Sequence, residues 1–188
     1  MGRGLLRLPE RTLPTRMRLV TLIALTSLVL LSTVLPARAD LTAFIGAQTS
    51  PSTRTTTGIS AGMGVLVVGF EGEYAQAHGE DLCLAAAATG AECAPSLRTV
   101  MFNVLLQTPR GVLPRTQLYG TVGGGYYRER FEPLNVQQTG VGTNVGGGVK
   151  IDLVGPFRVR IDYRIFKLGS DAVYSSSQRF TVGANIAF

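Results

Sequence analysis

The sequence predicts an all-β fold, with eight strands closing as an antiparallel up-and-down barrel behind a cleavable signal peptide. One observation behind this is alternation. In 157–166, Phe157, Val159, Ile161, Tyr163 and Ile165 alternate with Arg158, Arg160, Asp162 and Arg164, and only a strand, with its side-chain period of two, sorts such residues onto opposite faces. The other observation is spacing: the chain divides into an even number of strand-length segments whose connections alternate between polar loops and mostly short turns. An up-and-down barrel with both termini on one side has this asymmetry.

The segment ahead of the barrel is an export signal in form. Leu19 to Leu35 is an apolar run, preceded by Arg16 and Arg18 and followed by Pro36-Ala37-Arg38-Ala39, a small-x-small site, so cleavage is expected after Ala39. An anchoring helix would need roughly 20 residues and a different C-terminal flank. The n-region is long when counted from Met1, and Met17 is an alternative start. Removing 1–39 takes away Arg3, Arg7, Arg11, Arg16, Arg18, Arg38 and Glu10, so the formal charge of +6 falls to about +1. The basic character belongs mainly to the signal, and nucleic acid is not expected as a partner.

The mature chain, 40–188, contains no apolar run long enough for a membrane helix, so a membrane location would require a closed barrel. Strand one is expected at 40–47, before the polar loop Gln48–Thr56, and strand two at 57–65, with Ile59, Ala61, Met63 and Val65 on one face and Gly58, Ser60, Gly62 and Gly64 on the other. The turn at Leu66-Val67 carries no clear signal, so the register over 64–68 is open. Strand three, 68–78, opposes Phe70, Gly72 and Tyr74 to Gly69, Glu71 and Glu73. A long connection, 79–96, precedes strand four at 97–107, where Val100, Phe102, Val104 and Leu106 alternate with Thr99, Met101, Asn103 and Gln107. Strand five, 116–128, sets Leu118, Val122 and Tyr126 against Gln117, Tyr119, Thr121 and Tyr127. Strand six, 139–152, sets Val141, Thr143, Val145, Val149 and Ile151 against Asn144, Lys150 and Asp152. Val154-Gly155-Pro156 turns into strand seven, and strand eight covers 178–188. A soluble barrel or sandwich would alternate at similar spacing. Alternation alone leaves lipid and water open.

The last strand decides between them. Phe180, Val182, Ala184, Ile186 and Phe188 form an unbroken alternate apolar row, and the sequence stops on Phe188. This row resembles the C-terminal signal through which bacterial outer-membrane barrels are recognised by the barrel-assembly machinery. The whole mature chain resembles small OmpA-type or opacity-type eight-stranded outer-membrane barrels, in its Gly-rich second and sixth strands, polar outer loops and charged inner faces. The resemblance implies a transmembrane β-barrel in the outer membrane, in contact with its lipid and handed to the assembly machinery. It specifies activity poorly, since some barrels of this size are lipid-modifying enzymes; a structural or surface-display role, with an extracellular partner left unnamed, is expected from the exposure of the loops, and no catalysis or cofactor is expected. Unlike OmpA, the sequence stops with the barrel, so no cell-wall tether is carried over. A small gated porin-like channel is the alternative, and a soluble ligand-binding β-barrel is the second alternative.

With the apolar rows toward lipid, the lumen receives Glu71, Glu73, Lys150, Asp152, Arg158, Arg160, Asp162, Arg164 and Arg179. Strands three and seven should face each other across a space that an eight-stranded barrel fills with its own side chains. Unpaired charge there would cost several kcal/mol, so Glu71 and Glu73 are expected to pair with the Arg158/Arg160/Arg164 row. One reading is a polar core that plugs the lumen. The other is a gate: OmpA-type barrels carry a comparable interior cluster linked to a small intermittent pore, and Glu71 with Arg160 or Arg158 would be the matching positions.

Four further features complete the reading. Cys83 and Cys93, with nine residues between them, are expected to form a disulfide in an exported chain, worth about 2–3 kcal/mol by the chain-entropy argument. Two thiols without a nearby His pair are too few for a closed zinc site. Gly123–Gly125 and Gly146–Gly148 open no helix and fit no dinucleotide spacing, so they are expected to make room for bulky neighbours. Tyr74, Tyr126, Tyr163 and Phe180 are candidates for aromatic girdles. His78 is the only histidine and no serine lies two positions from it on its strand, so no nucleophile–base pair is expected.

Overall fold

The computed structural model describes residues 38–49, 52–79, 95–109, 111–131, 136–169, 172 and 175–188. The signal segment up to residue 37, the Cys83–Cys93 pair and the Leu84–Ala91 stretch lie outside the described residues. Eight strands follow one another around a closed barrel: β1 (Arg38–Thr49), β2 (Arg54–Val65), β3 (Val68–Ala77), β4 (Ser96–Gln107), β5 (Thr116–Phe131), β6 (Val136–Asp152), β7 (Phe157–Lys167) and β8 (Ser176–Ala187). Every neighbouring pair is antiparallel, and β8 closes on β1 with Ala43 opposite Ala184. The amides of Ala39 and Phe188 each donate to the other's carbonyl at 2.9 Å, so the backbone pairing of the seam reaches its last residue. No helix among the described residues is long and apolar enough to cross a membrane. The strands themselves, 10 to 17 residues long, meet or exceed the roughly 9–11 residues that a tilted strand needs.

The strands are longer than composition suggests. β2 begins at Arg54, β5 runs to Phe131 and β6 starts at Val136, where polar residues read as loop. Arg54, Thr56 and Glu129 are polar yet buried, because they face inward. In a barrel with a polar interior, a polar residue therefore does not end a strand. β1 likewise starts at Arg38 rather than Asp40, so a cut after Ala39 would remove its first two residues. The open register over 64–68 resolves into a two-residue turn, with Val65 opposite Val68 and Leu66 in the left-handed region at φ 55°.

The two faces of the sheet are opposite in character to those of a soluble barrel. Val100 is 56% exposed, Phe102 59% and Val122 58%, and they belong to an apolar belt that includes Ile59, Met63, Val141 and Val145. Glu71, Arg160, Asp162 and Arg164 are buried instead. A continuous apolar exterior around a charged interior is costly in water and stable in lipid. The soluble-barrel reading is therefore excluded, and the fold is a transmembrane barrel.

Inside, the core has two layers. Ala77, Leu97, Met101, Tyr127, Phe166 and Leu168 form an apolar cluster near the long-loop end. Below it lies the charged layer. Arg179 joins the two, with its guanidinium carbon 4.7 Å from the Phe166 ring centre and 5.3 Å from that of Phe44.

Candidate functional site

The charged layer is built from facing walls. On β3, Glu71 and Glu73 share the inner face, two residues apart; on β7, Arg160, Asp162 and Arg164 do the same, and β8 adds Arg179. Glu71 takes a salt bridge from Arg160 and a second from Arg164 at 2.8 Å. Glu73 pairs with Arg164 at 3.0 Å and with Arg179 at 2.6 Å. Asp162 lies between its strand neighbours, 3.1 Å from Arg160 and 2.8 Å from Arg164. Three guanidinium groups thus meet three carboxylates: Arg160 and Arg164 are each shared by more than one acid, while Arg179 meets Glu73 alone among the described residues and lies against the Phe44 and Phe166 rings. Burying an ion costs several kcal/mol unless its partners surround it, and here the balance of charge within the layer supplies those partners.

Tyr119 on β5 completes the network. Its hydroxyl donates to Asp162 and accepts from Arg160 Nε at 2.7 Å, and the Arg160 guanidinium carbon lies 4.8 Å from the ring centre. Asn144 donates to Asn103 at 2.8 Å, and Asn103 approaches Glu71 at 3.4 Å, which extends the network across β6 and β4. Sequence reasoning placed Tyr119, Asn103 and Asn144 on the inner face without assigning them to the cluster.

Arg158, grouped in the sequence reading with the residues facing Glu71, does not reach it. It lies directly across the β6–β7 ladder from Asp152 and pairs with it at 2.6 Å. The side chain of Asp152 is 49% exposed, so this pair belongs to the short-turn rim, not to the interior. Lys150 pairs with Asp40 at 2.5 Å, with its Nζ 5.7 Å from the centre of the Tyr119 ring. Asp40 had no assigned role in the sequence reading. Its inward parity on β1 was the available signal.

Glycine provides the space for the inner aromatic rings. Tyr119 is directly opposite Gly148, Tyr127 opposite Gly140, and Phe44 opposite Gly58. A Cβ at any of these glycines would run into the ring across from it. Within the two glycine runs, Gly148 makes room for an inner ring, whereas a Cβ at Gly123 or Gly125 would meet the β4 backbone. A void of about 10 Å³, roughly the volume accessible to one water, lies among Glu73, Arg160, Asp162 and Arg164.

Neither a protein-family model nor a curated protein sequence matches the chain. Several solved structures do. Neisserial surface protein A matches at 16% identity with a TM-score of 0.60, over 81% of this chain and 97% of its own. The N-terminal β-barrel domain of Pseudomonas aeruginosa OprF matches at 14% identity with a TM-score of 0.59, over 80% and 97%. Ail, the attachment invasion locus protein of Yersinia pestis, solved with the heparin analogue sucrose octasulfate, matches at 13% identity with a TM-score of 0.52, over 81% and 97%. At these identities the likeness concerns the fold, and the chain has the eight-stranded β-barrel fold of outer-membrane proteins.

Proposed function

We propose that this protein is a structural, surface-displaying barrel of the outer membrane whose lumen is plugged by its own charges, and that it catalyses no reaction. The observation that carries this reading is the interlocked layer of Glu71, Glu73 and Asp162 with Arg160, Arg164 and Arg179. Ion pairs that bridge β3, β7 and β8 tie opposite walls together and fill the space through which a solute would pass. What is left to interact with the surroundings is the lipid-facing belt and the loops at the long-loop end. In this reading residues 1–39 direct export, the outward row Phe180, Val182, Ala184, Ile186 and Phe188 is read by the barrel-assembly machinery, and a Cys83–Cys93 bridge stiffens the second outer loop.

Protease treatment of intact Gram-negative cells expressing the full chain tests the display role. Cleavage within 79–96, with the barrel fragment retained in the membrane, is the expected result. Protection of all four long-end connections contradicts display. The gated-channel reading differs in one respect, that the ion pairs exchange partners to open a path, and conductance distinguishes the two.

A further inference from the structure

The outward face at the long-loop end has a charge asymmetry that the lumen does not explain. Arg98 on β4 and Arg128 on β5 are direct cross-strand partners, both exposed and both on the lipid-facing side. Arg130 follows two residues later on the same face, opposite Ser96. Like charges placed directly opposite one another on a sheet destabilise the pairing. Their flanking partners, Gln76 on β3 and Thr139 on β6, are neutral. Among the described outward-facing strand residues at this end none is acidic, and Lys167 on β7 adds a further positive charge.

The height of the pair is fixed by the row beneath it. Val100 is the cross-strand partner of both Tyr74 and Tyr126, in a row two residues below Gln76, Arg98 and Arg128, which is about 7 Å along a strand. Tyrosines of this kind mark the border between hydrocarbon and headgroups. A pair of guanidinium groups one step above that border is at the depth of lipid phosphates. Guanidinium forks bind phosphate oxygens two at a time, and one shared anion would relieve the repulsion between Arg98 and Arg128.

We infer that Arg98 and Arg128 form a binding site for the phosphorylated headgroup of an outer-leaflet lipid, with the Tyr74 and Tyr126 rings beside the start of its acyl region. The inference rests on the outer-membrane reading above, since it needs the apolar belt to lie in lipid. The native chain, Arg98→Gln/Arg128→Gln and Lys167→Gln are folded in neutral detergent, with folding checked by heat-modifiable migration. Each is titrated with lipid A carrying its phosphates, with dephosphorylated lipid A, with inorganic phosphate and with heparin. The native protein should bind the phosphorylated lipid about tenfold more tightly than the double variant does, and about tenfold more tightly than it binds the dephosphorylated lipid. Lys167→Gln should stay within about twofold of native, because it removes a border charge without touching the pair.

Equal binding by the native and double-variant proteins overturns the site. Equal affinity for both lipids does the same. Inorganic phosphate or heparin bound as tightly as the lipid would make this a free-anion or polysaccharide site and overturn the lipid assignment. A chain that folds as a monomer in detergent-free buffer overturns the membrane reading together with the site, whereas a detergent-folded barrel without phosphate preference overturns the site alone.

Discussion

Arg164 on β7 reaches across the barrel to place its Nη2 atom 2.8 Å from Oε1 of Glu71 on β3, and both side chains are almost completely buried. Strands that never touch through the backbone are thereby joined through their side chains. Glu71 also receives Arg160 and Asn103, so this one carboxylate holds together donors from β4 and β7.

Replacing Glu71 with Ala leaves Arg160 and Arg164 with less negative charge than they were built to meet. Breaking a buried pair from one side costs about 3–5 kcal/mol. Urea unfolding of the barrel in detergent micelles should show a loss of that order for Glu71→Ala. Asp152→Ala, at the exposed rim, should cost less than about 1 kcal/mol.

Tyr119 contributes a ring and a hydroxyl, and the two can be separated. Tyr119→Phe keeps the ring against Gly148 but removes the hydroxyl that bridges Asp162 and Arg160, at an expected cost of about 1.5–3 kcal/mol for hydrogen bonds to charged groups. Gly148→Ala pushes a methyl group into the same ring and against the β7 backbone, and should cost about 1–3 kcal/mol by overpacking. The same unfolding measurement checks both, and a neutral Gly148→Ala would show that the ring is not seated as described.

The lipid-facing belt makes a prediction of its own. Val122 is on the outer face midway along β5, between Val104 and Val145. Val122→Arg should destabilise the barrel in bilayers by about 2–4 kcal/mol, the cost of a cation near the midplane. Reversible unfolding from lipid vesicles measures it. No loss would mean that this face does not meet hydrocarbon.

The alternation of β7 and β8 made the barrel legible in the sequence, because a period of two sorts side chains by face without knowledge of any partner strand. Strand ends were harder to read. Arg54 and Glu129 look like loop residues by composition, yet they are buried in strands whose inner face is polar. The inward placement of Glu71, Glu73, Arg160, Asp162, Arg164 and Arg179 was legible from parity, whereas the rim position of Asp152 and Arg158 and the pairing were not. Arg158 and Arg160 share a face, but which of them meets Glu71 depends on strand tilt and stagger around the closed barrel, quantities that no single strand contains. Tyr119 was missed as a network member for a similar reason: its relation to Gly148 becomes visible only when the β5–β6 register is known. The arginine pair on the outer border is also a register fact, since Arg98 and Arg128 are thirty residues apart and become neighbours only across the β4–β5 ladder.

Conductance across a planar bilayer tests the central claim most directly. If the charge layer is a plug, as proposed, the native chain, folded in detergent and inserted, should give a stable baseline without current steps. The Glu71→Ala variant, with Arg160 and Arg164 released from that carboxylate, should give brief openings if it inserts. Discrete, frequent steps from the native protein, unchanged by Glu71→Ala, would contradict the account: the charge layer would then be neither plug nor gate.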